Sequence, residues 1–117
     1  LDYKNITEEE AGFVIAKINW ALNGISAINS PGPNLSGVTL SVNKNSYALN
    51  PIIFALSGDD ITIKKGSAVA LNINSDGVAI TDLKFEHIQK IGTLTADSIK
   101  VSFKANGKYF ETLRFIR

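Results

Sequence analysis

Between Thr7 and Asn29 the apolar residues recur at helical spacing, and from Gly37 onward they recur every second residue. At 100° per residue Ala11, Val14, Ile15, Ile18, Ala21, Leu22, Ile25 and Ile28 share one broad stripe, which reads as a core face. Ile6, Phe13, Trp20 and Ala27 recur every seven residues along a second line, away from the first. Two readings of that line stand: Phe13 and Trp20 tuck under a loop of the same domain, or the line is a seam for another chain. Thr7-x-x-Glu10 matches a capping box, yet Tyr3 and Ile6 continue the apolar phases backwards, so the helix is predicted to begin at Asp2 or Tyr3 with the box incidental. Asn29-Ser30-Pro31-Gly32-Pro33 is predicted to end it, because proline cannot continue the helical ladder.

The second part reads as antiparallel hairpins. Val38, Leu40 and Val42 alternate with polar residues, and Asn43–Ser46 forms a turn. Tyr47–Leu49 and Ile52–Leu56 are strand-like around Pro51, followed by Ile61–Ile63 and Val69–Ile73. Val78, Ile80, Leu83 and Phe85 form an inward set whose parity slips at Thr81-Asp82, which predicts a β-bulge. Ile99, Val101 and Phe103 give the clearest alternation, and Asn106-Gly107 is a favoured two-residue hairpin turn. The return strand Tyr109–Ile116 is apolar on both faces, so it is predicted to be central and covered twice, or bulged near Glu111. Together these elements predict a single domain over 1–117, of α+β class: a long amphipathic helix over about 3–29, laid across antiparallel hairpins over about 37–117.

Composition narrows the function more than the fold. A net charge of +1 argues against a nucleic-acid binder that depends on a dense basic surface. The absence of cysteine removes disulfides, thiolate metal sites and a cysteine nucleophile. No apolar run is long enough to span a bilayer. The chain starts at Leu1 and has no methionine, so it is expected to be a processed or trimmed product from which a targeting or membrane segment has been removed.

No catalytic pattern emerges. His87, the only histidine, follows an apolar strand and reads as a surface or strand-end residue, and no G-x-S-x-G elbow accompanies it. Asn72-x-Asn74-x-Asp76-Gly77 resembles half a calcium loop but lacks the first acid and the closing glutamate, so it reads as a polar hairpin turn. Asp59 and Asp76 mark where a Ca2+ ion could be held, and no other cofactor is expected.

Three stretches carry a resemblance to type IV pilin-like proteins, in particular a minor pseudopilin of a type II secretion system or a minor type IV pilin. INWALNGISAIN resembles the second half of that family's long N-terminal helix, and INSDGVAITDLKF resembles a recurrent hairpin. SIKVSFKA followed by GKYFETLRFIR is similar to its closing strands and C-terminal arginine. The resemblance implies a pilin-like fold, no enzymatic activity, and assembly with other pilin or pseudopilin subunits through the outer helix line of Ile6, Phe13, Trp20 and Ala27. It also implies an inner-membrane anchor through a missing N-terminal half of the helix, and a place in the bacterial cell envelope with the domain periplasmic or extracellular. The competing reading is a stand-alone extracellular β-rich module that binds a glycan or peptide, for which Tyr47, Tyr109 and Phe110 are the candidate aromatic platform.

Overall fold

The structure, a computed structural model, describes residues 3–90 and 97–116; Asp2 and the C-terminal Arg117 of the closing motif lie outside the described residues. Helix α1 runs over Tyr3–Leu22 and is followed by nine strands: β1 (Ile25–Ser30), β2 (Ser36–Gly37), β3 (Leu40–Lys44), β4 (Ile52–Ser57), β5 (Asp60–Lys65), β6 (Leu71–Asn72), β7 (Ile80–Ile88), β8 (Ser98–Ala105) and β9 (Lys108–Phe115). They form two antiparallel sheets, β1-β3-β4-β5-β6 and β2-β7-β8-β9. The described residues are therefore mostly β with one helix, and the expected pilin-like α+β arrangement, with a helix reaching residue 29, is overturned.

The physical reason lies at Gly24. With φ near +67° it holds a left-handed conformation that glycine adopts without the Cβ penalty, and the helix ends there. The Lys44 ammonium donates to the carbonyls of Trp20 (2.8 Å), in the last helical turn, and of Asn23, just past it. Residues 25–30 then join the first sheet, with Ile25 opposite Lys44 and Ile28 opposite Val42. At the other end Thr7 and Glu10 do not cap the helix. The Thr7 hydroxyl accepts from the Asn106 amide (3.2 Å) and the Glu10 carboxylate accepts from the Ser75 amide (2.8 Å).

Alternation along the strands builds the core. Leu40, Val42, Ile52, Phe54, Ile61 and Ile63 point inward from one sheet, and Ile80, Phe85, Ile99, Val101 and Phe103 from the other. Ala11, Val14, Ile18, Ala21 and Leu22 of α1 complete the same cluster. The bulge falls where the parity slipped, with Asp82 at φ 53° between the Thr81 and Lys84 rungs. Asn106 and Gly107 both take positive φ at the last hairpin.

Elsewhere the apolar pattern misleads. β9 is an edge strand of unbroken register, from Ala105 opposite Lys108 to Ser98 opposite Phe115, rather than central or bulged at Glu111. Its inward Phe110 stacks on Phe103 (5.8 Å between centroids), while Tyr109, Leu113 and Phe115 are exposed. Tyr47–Leu49 is a turn, tied by the Asn50 amide to the Lys44 and Tyr47 carbonyls. Only Leu71–Asn72 of the stretch 69–73 enters a ladder. Val38 and Val69 are exposed.

Helix α1 packs against both β3 and β9. Glu8 pairs with Lys108 (2.6 Å) near the β8–β9 turn, and the other end of the helix meets the far end of β9 at a cleft lined by Leu22, Asn23, Leu113 and Phe115. The opposite flank of α1 looks onto β5 and β6.

Candidate interaction surface

The outer helix line does not survive as a line. Ile6 is partly buried against the core, and Ala27 lies on strand β1, exposed but no longer helical. Phe13 and Trp20 remain. Phe13 is 53% exposed, although its neighbour Val14 is wholly buried, because one residue is a 100° step around the helix. It forms one wall of a groove of about 170 Å³, whose other wall is Ile63, Val69, Leu71 and Ile73 from β5, β6 and their flanks. Val69 and Leu71 are among the most exposed apolar side chains described, so the groove is an open apolar surface rather than an internal void.

Trp20 is 37% exposed, and part of its own domain covers it: the Tyr47 ring meets it edge-on at 5.7 Å. Three ammonium groups surround the indole, Lys17 at 5.4 Å, Lys44 at 4.9 Å and Lys65 at 4.8 Å from its centroid. A cation over an exposed indole face is worth about 0.5–1 kcal/mol. Lys44 gains further from the carbonyl end of the helix dipole. No ion pair between these lysines and a carboxylate is formed among the described residues, whereas Lys84, Lys100, Lys104 and Lys108 each have an acidic partner. Lys17 and Lys65 also line the groove at Phe13, so the apolar and cationic features are continuous.

The histidine expected near the surface is buried. His87 is 5% exposed; its Nδ1 faces the Pro31 carbonyl and its Nε2 the Asp97 carboxylate, both at 2.9 Å. Either neutral tautomer donates to one of these acceptors, and only the doubly protonated ring donates to both. Asn34 and Leu35 bond the backbone of His87, so the residue pins the loop after β1 to β7. With both nitrogens engaged, neither is presented as a catalytic base. The Lys90 amide, then His87, hold the Asp97 carboxyl below the usual carboxylate range. A depressed folded pKa gives stability that is present above the unfolded value and is lost as pH falls through the folded one. Acid titration of unfolding free energy should therefore show a loss below about pH 4. Asp97→Asn should flatten that slope and cost about 1–2 kcal/mol at neutral pH. An unchanged slope would count against the assignment.

The polar turn at Asn72–Asp76 is tied to the start of β5. Amides of Asn72 and Asn74 occupy the two oxygens of Asp60, at 3.1 Å each. Neither Asp59 nor Asp76 joins a group of three metal-ligating side chains among the described residues. Nor do the candidate platform aromatics gather: Phe110 turns inward, Tyr47 packs on Trp20, and Tyr109 is exposed on β9. Among the described residues no helix is long and apolar enough to cross a membrane.

Sequence reasoning found Phe13 and Trp20 but missed the groove and all three lysines. Lys17 is readable from its position three residues before Trp20 on the helix. Lys44 and Lys65 arrive from β3 and β5, and no local signal connects them. Comparison with protein-family models, curated proteins and solved structures finds no match to this chain.

Proposed function

We propose that this chain is a structural assembly subunit that joins a neighbouring subunit through the outer side of α1. The role is that of a minor pseudopilin or minor type IV pilin, the family that the stretch Ile18–Asn29 resembles in sequence, although only Ile18–Leu22 of it is helical. The observation that carries the reading is Phe13: a large aromatic, half in solvent, at the mouth of an apolar groove on a helix whose other stripe is largely buried. The proposal rests on the helix and not on the sheets, whose arrangement departs from the pilin-like expectation. In this reading the domain stands in the bacterial cell envelope, facing the periplasm or the exterior. A second reading, a β-rich module that binds a peptide in the same groove, is favoured by the two-sheet architecture.

The test is Phe13→Ser in the full-length protein, followed by thermal unfolding and by co-sedimentation with its filament or secretion assembly. Burying a phenylalanine contributes about 1.5–3 kcal/mol, so incorporation should weaken by about ten- to a hundredfold. Unfolding free energy should stay within about 0.5 kcal/mol, as for surface changes generally. A variant that assembles like the parent overturns the assembly reading. Retention in the assembly together with loss of peptide binding would favour the module.

A further inference from the structure

The lysines around Trp20 have a consequence beyond the helix seam. Three ammonium groups lie within 5.4 Å of one indole centroid, and each repels the other two. Lys44 is engaged by helix carbonyls. Lys17 and Lys65 have no ion-paired carboxylate among the described residues and reach the Phe13 groove. A groove that is apolar along Phe13, Ile63 and Leu71 and cationic at its Trp20 end is complementary to one kind of occupant.

We propose that this site takes an acidic protein segment with an apolar anchor, whose aliphatic or aromatic side chain fills the Phe13 groove while its carboxylates meet Lys17 and Lys65. The proposal rests on the docking reading for its location and adds the chemistry of the partner. Charge complementarity selects this occupant, since an uncharged apolar segment would leave the ammonium cluster uncompensated and partly desolvated.

The chain has a single tryptophan, so its fluorescence reports this site alone. The probe is a synthetic peptide alternating glutamate and leucine, titrated into the intact chain, with a glutamine–leucine peptide as its uncharged counterpart. The acidic peptide should change Trp20 emission saturably and bind at least about tenfold more tightly than the uncharged one. Lys17→Gln and Lys65→Gln should each weaken it about three- to fivefold, as for partly exposed ion pairs, and added salt should erode the difference. Equal affinity for both peptides, or lysine variants that bind like the parent, overturn the proposal. A saturable response to inorganic phosphate or to phosphatidylglycerol vesicles that exceeds the peptide response also overturns it, assigning the lysines to phosphate chemistry instead. Phe13→Ser separates the two readings: if it assembles normally while binding remains charge-dependent, the helix seam fails and this site stands. If assembly is lost and the charge dependence was never present, the reverse holds.

Discussion

Replacing Asn74 with alanine should lower the unfolding free energy by about 3–5 kcal/mol, one of the largest effects available outside the apolar core. Asn74 is 4% exposed. Its side-chain oxygen accepts from the Ile61 amide (2.8 Å), adding a rung where β6 has already ended. Its amide donates to the Val78 carbonyl (2.6 Å), to the Asp60 carboxylate (3.1 Å) and to the Asp59 carbonyl (3.3 Å). One side chain thus joins the start of β5 to the approach into β7, and so one sheet to the other. Alanine would leave a buried donor at Ile61 and a buried acceptor at Val78 without partners, each costing about 1–3 kcal/mol. The melting temperature should fall by about 10–20 °C, scaled for a domain of this size. Thermal and urea unfolding measure it, and a loss under about 1 kcal/mol would mean that water replaces the amide in full. Asn74→Asp should be no milder, since it places a second carboxylate beside Asp60 and removes the donors.

Phe103→Ala should cost about 3–5 kcal/mol. Phe103 is fully buried on β8, which is flanked by β7 and β9, and it supports Phe110 from within. The truncation leaves a cavity and removes the ring on which the edge strand rests. The loss should be concentrated at β9, seen as faster amide hydrogen exchange at Lys108–Phe115 than at β4 and β5. Uniform acceleration over both sheets would show that β9 has no separate dependence on Phe103. Phe13→Ala, the same chemical change on the outer side of the helix, should move stability by about 0.5 kcal/mol or less.

The difference between those two phenylalanines was legible in the sequence, and its basis shows what else was. Phe103 lies in a strict alternation with Ile99 and Val101, and Phe13 lies off the helical stripe of Val14 and Ile18. Periodicity also located the Thr81-Asp82 bulge and the Asn106-Gly107 turn, because a parity slip and a positive-φ pair are local features. Where it failed, one pattern fitted two structures. Ile25 and Ile28 continue the helical phase as well as they serve a strand, and only the left-handed conformation at Gly24 decides between them. An alternation of apolar residues on both sides of β9 reads as double cover, yet the strand sits at an edge with Leu113 and Phe115 in solvent. His87 reads from sequence as a surface or strand-end residue because its two acceptors come from Pro31 and Asp97, 56 and 10 residues away. The lysine cluster at Trp20 likewise depends on long-range pairing that no window of sequence contains.

The start of the helix is held by residues far away in the sequence. Thr7 and Glu8 are held by Asn106 and Lys108, partners 99 and 100 residues further on. Each contact closes a loop of 99 or 100 residues, and pairings of such long sequence separation form slowly. Loosening of the β8–β9 turn therefore frees the start of the helix as well, and the two segments open as one cooperative unit.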